Sequence, residues 1–193
     1  MKIVIVDYGV GNIQSLKFAI ERLGYQARLT ESSEEILNAD KVFFPGVGEA
    51  KNAMAMLNDK GLDQTVRQLK VPTLGICLGM QLMCQQSEEG NTQGLGLLPC
   101  VVKRFENHLK VPQIGWNHFD WVKGDLFQSL KPTEYMYSVH SYYVPLGDWT
   151  IACSDYGTPY SSALQIDNFY GVQFHPEKSS FSGSQLLLNF LKL

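Results

Sequence analysis

The segment TLGICLGMQ, residues 73–81, places a cysteine between glycines at positions −2 and +2. The apolar residues before Cys77 predict a buried strand, and those after it predict the start of a helix. A strand that turns directly into a helix strains the residue at the corner, and the glycines at 75 and 79 remove side chains that would collide there. The pattern therefore predicts a nucleophile elbow with Cys77 at its tip.

The predicted elbow makes Cys77 a candidate nucleophile. It would place the sulfur at the carboxyl edge of the sheet and at the amino end of a helix, where unpaired N–H groups favour a thiolate. The alternative is a buried structural cysteine, which is the interpretation favoured for Cys84, Cys100 and Cys153. The elbow pattern favours a reactive thiol at Cys77 alone.

Length, charge and cysteine spacing exclude several classes of protein. The chain has 193 residues, enough for one domain with a substantial core. Its 16 basic and 19 acidic residues give a net charge of −3 with no basic run, so we expect a small molecule or a protein as partner and no nucleic acid. We expect no signal peptide, membrane span, disulfide or zinc site, and therefore a cytoplasmic protein.

Two different patterns divide the chain near residue 100. The first half alternates strands and helices. Strands are predicted at residues 2–6, 26–30, 41–44 and 73–76, and helices at 12–23, after the capping box at 32–35, around 54–57 and at 62–69. The second half predicts strands at 101–105, 115–121, 134–139, 150–154, 161–166 and 170–174, then a helix at 182–191.

These patterns predict a single α/β domain. We expect a mostly parallel, doubly wound sheet flanked by helices, because strands and helices alternate in the first half. The strands of the second half are expected as antiparallel hairpins added to one side or edge of that sheet.

The segment GVQFHPEKS, residues 171–179, supplies a candidate base for the thiol. In an extended segment, residues i and i+2 project to the same side, so Glu177 could orient the His175 imidazole. Cysteine, histidine and carboxylate together are the groups of acyl transfer, with histidine as general base and acid. An isolated histidine before Pro176 is more often a solvated turn residue, but its pairing with the elbow favours catalysis.

Acyl transfer also needs hydrogen-bond donors for an oxyanion. One candidate is the backbone N–H of Leu78, directly after the nucleophile. The other is the N–H of Val47 in the Pro-Gly-Val-Gly segment at 45–48, where glycines permit a peptide plane to turn over. An ordinary turn at the end of a strand explains that segment equally well.

Together the motifs resemble those of the class I, triad-type glutamine amidotransferases. Further segments are similar to the glutaminase subunits of imidazole glycerol phosphate synthase: DYGVGNIQSL, FFPGVGEA, VPQIGWNHF and YSVHSYY. The resemblance extends over residues 1–193, as one glutamine amidotransferase type-1 domain.

The resemblance implies hydrolysis of L-glutamine to glutamate and ammonia. It implies a heterodimer with a (β/α)8-barrel cyclase that receives the ammonia for histidine biosynthesis, and no metal or organic cofactor. Carried over by motif, the substrate residues are Gly48, Gln81, Glu89, Ser141 and Tyr142, and the residues facing the partner are Asn12, Tyr137 and Lys178. From the residues alone, Gln81 could equally be a solvated helix residue, and the partner-facing residues could be ordinary surface.

Three alternatives stay open at this point. The chain could be the glutaminase subunit of another pathway, such as pyridoxal phosphate, anthranilate or folate-precursor synthesis, although the GWN and HPEKS segments disfavour this. It could be a cysteine hydrolase or stress protein on a similar sheet, in which histidine commonly follows the elbow cysteine, where this chain has Leu78. It could also be a scaffold without activity, which the intact Cys77, His175 and Glu177 disfavour.

Overall fold

The computed structural model describes residues 1–106 and 108–193, which form fourteen strands and six α-helices. The strands are β1 (Ile3–Val6), β2 (Ala27–Thr30), β3 (Lys41–Gly46), β4 (Thr73–Cys77), β5 (Cys84–Ser87), β6 (Thr92–Gln93), β7 (Leu98–Arg104), β8 (Gln113–Asn117), β9 (Trp121–Val122), β10 (Met136–His140), β11 (Tyr142–Tyr143), β12 (Thr150–Asp155), β13 (Pro159–Ile166) and β14 (Phe169–Val172). The helices are α1 (Ile13–Arg22), α2 (Ser33–Leu37), α3 (Ala50–Asp59), α4 (Leu62–Arg67), α5 (Leu78–Leu82) and α6 (Ser180–Lys192).

Eight strands form the central sheet, in the order β2-β1-β3-β4-β14-β13-β12-β9. The first five are parallel neighbours, and the last three pair antiparallel. Side chains alternate between its faces, so Val42 and Phe44 face one core while Phe43 faces the other. Helices α2–α5 pack on the first face, and α1 and α6 on the second. The predicted fold class is confirmed.

The second half adds antiparallel strands at the β4 edge of the parallel sheet, as expected, and β14 forms the junction. Strand β14 pairs in parallel with β4 inside the sheet, with Gly171 opposite Gly75 and Val172 opposite Ile76. Strand β14 also pairs antiparallel with β13, so the expected hairpin at residues 170–174 is present, and its parallel pairing with β4 joins that hairpin to the sheet. The consequence is functional, since the chain that leaves β14 emerges beside the elbow.

Smaller differences concern element bounds and two further sheets. The expected strand at 115–121 is divided into β8, which pairs with β10 in a two-stranded sheet, and β9 at the edge of the main sheet. Strands β11, β7, β5 and β6 form a third sheet. Strand β3 runs on through Pro45 to Gly46, whereas the sequence predicted its end at Phe44. Within the described ranges, no helix has the length and apolar character needed to cross a bilayer.

Candidate active site

The elbow geometry at Cys77 is confirmed. Cys77 ends β4 and precedes the first residue of α5, with φ 55° and ψ −113°, a left-handed φ that a side chain rarely adopts. Close backbone contacts explain both glycines. A Cβ on Gly79 would lie 1.9 Å from the Phe44 carbonyl oxygen, and one on Gly75 would lie 2.9 Å from the Met80 nitrogen. Larger residues at either position would push α5 away from the sheet.

The Pro-Gly-Val-Gly segment lies alongside the elbow. Gly46 is opposite Cys77 in the pairing of β3 with β4, so Val47 follows at the edge of the sheet beside Cys77. A Cβ on Gly46 would lie 2.8 Å from the Gly79 nitrogen, and close packing is therefore one reason for that glycine. Gly48 differs, because it has φ +90° and open space where a Cβ would be. The positive φ, and not close packing, therefore explains the glycine at position 48.

His175 and Glu177 form a buried pair directly after β14. The Nδ1 and Oε1 atoms are 2.9 Å apart, and the two side chains are 3% and 2% exposed. Because a carboxylate only accepts, Nδ1 carries the proton. The contact arises in a 3-10 turn, Pro176–Lys178, so the predicted pairing is present but its predicted origin in an extended segment was wrong.

Burial and charge act on His175 in opposite directions. Burial lowers the pKa of the imidazole, but the neighbouring Cys77 sulfur and the Glu177 carboxylate outweigh it and raise the pKa to about 10. The ring therefore holds a second proton at neutral pH. A protonated imidazole can deliver a proton to a leaving amine.

The backbone of Tyr137, in β10, fixes the position of His175. The His175 N–H donates to the Tyr137 carbonyl at 2.8 Å. Ser179 links the same two segments a second time. Its hydroxyl donates to the His175 carbonyl at 2.7 Å and accepts from the Tyr137 N–H at 2.9 Å. Sequence reasoning missed Ser179, although a serine four residues after the histidine is the available signal.

A cavity of about 340 Å³ opens beside Cys77. It brings together the predicted nucleophile, base, oxyanion donors and substrate residues from both halves of the chain. Its lining comprises Val47, Gly48, Cys77, Leu78, Gln81, Glu89, Pro112, Val139, His140, Ser141, Tyr142 and His175. The chemical roles of these residues stay predictions, but their convergence on one cavity is a property of the fold.

Gln81 is buried, so it is not a solvated helix residue. Its Nε2 donates to the Tyr142 carbonyl and to Gln173 Oε1, both at 2.9 Å. Since a carbonyl only accepts, the nitrogen of Gln81 is identified by that contact, and Oε1 is left as an acceptor for a ligand. Gln173 in turn directs Nε2 towards Cys77 Sγ at 3.8 Å. Sequence reasoning missed Gln173, a polar residue in the apolar run before His175.

Glu89 places a carboxyl group in the cavity wall. Its Oε2 accepts from the Ala50 N–H at the start of α3, at 2.9 Å. Burial raises the pKa of Glu89, and the nearby Glu49 adds to this, while the Ala50 N–H partly offsets both. A carboxylate and an amide oxygen in one wall are complementary to the ammonium group of an amino acid.

The residues predicted to face the partner lie around the turn that carries His175 and Glu177. Lys178 Nζ lies 5.9 Å from the centroid of the Tyr137 ring. That ring is 6.0 Å from Trp116, which is 52% exposed and which the sequence prediction did not include. Asn12 lines a narrow cleft together with Val47, His175 and Glu177. The cleft and the larger cavity share Val47 and His175, so His175 lies between them.

Cysteines and acidic groups do not form a metal site here. All four cysteines are free and buried. Across residues 1–106 and 108–193, no three histidine, cysteine, aspartate or glutamate side chains are grouped closely enough to hold a metal ion.

Comparison with known proteins identifies the class to which this fold and site belong. The profile of the glutamine amidotransferase class-I family matches residues 4–193, and the chain belongs to that family. Its relatives include imidazole glycerol phosphate synthase subunit HisH of Bacteroides fragilis (strain YCH46), 49% identical, with 100% of each chain covered. The same subunit of Photobacterium profundum is 46% identical, covering 100% of this chain and 97% of the relative. Within the family, the chain falls among the HisH subunits.

Solved structures support the same fold. A glutamine amidotransferase crystal structure matches with a TM-score of 0.72 at 20% identity, covering 98% of this chain and 97% of the other. A glutamine amidotransferase from Thermotoga maritima matches with a TM-score of 0.66 at 15% identity, covering 100% and 83%. At these identities the likeness concerns the fold alone.

Proposed function

We propose that this chain is the glutamine-hydrolysing subunit of an imidazole glycerol phosphate synthase, with Cys77 as nucleophile and His175, oriented by Glu177, as its acid and base. The observation that carries the proposal is the convergence of a strained elbow cysteine and a buried histidine–carboxylate pair on one cavity. The 49% identity to HisH of Bacteroides fragilis supports the pathway. The site of action is then the cytoplasm, where this biosynthesis takes place.

The proposed reaction proceeds through a thioester. The Cys77 sulfur attacks the side-chain carbonyl of glutamine, and the N–H groups of Val47 and Leu78 stabilise the oxyanion. His175 donates its proton to the leaving nitrogen, and ammonia departs. Water then attacks the γ-glutamyl thioester as His175 takes up a proton, which releases glutamate and restores the Cys77 thiolate beside a protonated His175.

Substrate orientation follows from the chemistry of the cavity wall. The acceptor Oε1 of Gln81 and the carboxyl of Glu89 suit the α-ammonium of glutamine. The α-carboxylate would then be received at the Ser141–Tyr142 backbone. The carboxamide would extend to Cys77, because the same cavity ends at the elbow.

The partner is a cyclase subunit, which we propose to be a (β/α)8 barrel that forms a heterodimer with this chain. The exposed Trp116 beside Tyr137 and Lys178 supports an interface at this surface, because exposed aromatic residues are enriched at interfaces. The narrow cleft at Asn12 supports an exit for ammonia on the same side. Partner contacts there could reach the base directly, since the Tyr137 backbone holds His175.

The test compares Cys77→Ala with Cys153→Ala, a matched loss of a buried cysteine outside the cavity. We expect Cys77→Ala to abolish glutamine-dependent synthesis by the complex with its cyclase but to keep synthesis from free ammonia. Cys153→Ala should keep both activities. Mass spectrometry should detect a γ-glutamyl adduct on Cys77 only. Glutamine-dependent synthesis by Cys77→Ala would overturn the proposal. A purified complex in which the partner of this chain is not a cyclase would overturn it too.

A further inference from the structure

A second buried histidine lies beside the triad without a role in the reaction described above. His140 is the last residue of β10, is 6% exposed, and lines the same cavity as Cys77. Its ring packs against Phe105 and Tyr160, with centroid separations of 5.3 Å and 5.4 Å. The aromatic neighbours hold the ring in one place.

One hydrogen bond determines which nitrogen of His140 carries the proton. Nδ1 is 2.8 Å from the Tyr142 carbonyl, which can only accept, so Nδ1 is the donor. Nε2 is buried and has no hydrogen-bond partner among residues 1–106 and 108–193. Burial lowers the pKa of His140 to about 4; the Tyr142 carbonyl opposes this effect and the neighbouring His175 adds to it. The ring is therefore neutral, with its single proton on Nδ1.

The hydrogen bond from His140 acts on a backbone segment of the substrate cavity. The Tyr142 carbonyl accepts from both His140 Nδ1 and Gln81 Nε2. The preceding carbonyl, that of Ser141, accepts from the Phe105 N–H at 3.1 Å. Protein donors thus hold both carbonyls of the segment. Each carbonyl belongs to a planar peptide group, so these bonds fix the orientation of the two peptide planes that follow Ser141 and Tyr142.

We propose that His140 is a positioning residue for glutamine binding: its Nδ1–H holds the Tyr142 carbonyl and keeps the Ser141–Tyr142 backbone in the conformation that receives the α-carboxylate. This inference rests on the proposed glutaminase function. Gln81 Nε2 donates to the same Tyr142 carbonyl as His140 Nδ1. By holding that carbonyl, His140 therefore also keeps the Gln81 amide in place, with its Oε1 as an acceptor for the substrate. A neutral His140 suits this position, since a second cation beside a protonated His175 would be repelled.

The test uses three substitutions that differ in the position of one donor. The amide nitrogen of His140→Asn is attached at Cγ, like Nδ1, whereas His140→Gln carries the same amide one atom further out and His140→Phe has no donor. We expect His140→Phe and His140→Gln to raise KM for glutamine about tenfold, with kcat within about threefold of wild type. His140→Asn should restore KM to within about threefold. Synthesis from free ammonia should be unchanged in all three.

Several outcomes would overturn the positioning role. It fails if all folded variants keep the wild-type KM, if folded His140→Asn is as impaired as His140→Phe, or if kcat falls while KM does not change. A measurement on the wild type needs no variant: ¹⁵N NMR of the imidazole should show the Nδ1–H tautomer, and an Nε2–H tautomer would contradict the proposal. A wild-type complex without glutaminase activity would instead refute the function on which it rests.

Discussion

The two sides of the cavity beside Cys77 are held in place by different interactions. On the side that carries Cys77, called the nucleophile side, β3, β4 and α5 meet through very close backbone contacts. A Cβ added at Gly79 would lie only 1.9 Å from a carbonyl oxygen. On the histidine side, side-chain hydrogen bonds and charge hold the site, through His175, Glu177 and Ser179. The nucleophile side should therefore be sensitive to side-chain size, and the histidine side to charge, tautomer and pH.

The largest expected effect is on the histidine side, where the two members of the pair have unequal roles. His175→Ala should lower partner-stimulated glutaminase turnover on the order of a thousandfold or more, because it removes both the acid and the base. Glu177→Gln should lower it about a hundredfold, since Glu177 only orients and stabilises the ring. Steady-state glutaminase assays with saturating cyclase test this. Equal turnover in wild type and His175→Ala, or a greater loss in Glu177→Gln, would contradict these roles.

The next effect is on the nucleophile side and concerns stability. Gly79→Ala should lower the free energy of unfolding by about 3 kcal/mol, because the added methyl group must displace the Phe44 backbone or α5. Gly61→Ala is the matched control: Gly61 has φ +66° and nothing within 4 Å of its Cβ position. Gly61→Ala should lower the free energy of unfolding by about 1 kcal/mol, because alanine disfavours the left-handed backbone at this position. Urea unfolding measures both, and an equal cost would refute the steric account.

A pH series should separate the two sides. His140 has a folded pKa of about 4 and an ordinary value of 6.5, so its stabilising contribution is full above pH 6.5 and lost as the pH falls from 6.5 to about 4. The loss at pH 4.5 should be about 2.5 kcal/mol. Urea unfolding of wild type and His140→Phe at pH 7 and pH 4.5 tests this. The drop should be smaller in His140→Phe but unchanged in Gly79→Ala, and identical drops in all three would remove His140 as the cause.

The smallest expected effect concerns activation at the Pro-Gly-Val-Gly segment. We expect the isolated chain to hydrolyse glutamine poorly and the liganded cyclase to favour the state in which the Val47 N–H points into the site. Gly48→Ala should lower stimulated turnover about tenfold, because alanine disfavours φ +90° and restricts the peptide flip. Position 48 tests this more cleanly than position 46, where a Cβ would meet the Gly79 backbone.

Gly24→Ala is the control for that experiment. Gly24 has φ +85° and open space at its Cβ position, and it does not line the cavity. It should keep stimulated turnover, and both variants should bind the cyclase as wild type does. Full turnover in the isolated chain, or an equal loss in Gly24→Ala, would show that activation does not depend on this segment.

Local patterns were informative where the geometry is local. The elbow could be read from the spacing of Gly75, Cys77 and Gly79 because the strain at one residue dictates small neighbours on either side. The pairing of His175 with Glu177 was also predicted, although the turn that produces it was not. Ser179 and Gln173 were missed, because each acts through a hydrogen bond whose partner is distant along the chain or in an unpredicted turn.

The sequence by itself determined the alternation of strands and helices, the strained cysteine and the resemblance that identifies the family. These depend on residues close together in the chain, where sterics and periodicity leave few solutions. Only the tertiary structure decided that β14 lies beside β4, which brings His175 to Cys77 across 98 positions of sequence. It also decided that His140 and Gln81 share one carbonyl. Strand order and such contacts depend on the packing of the whole sheet, which no short segment encodes.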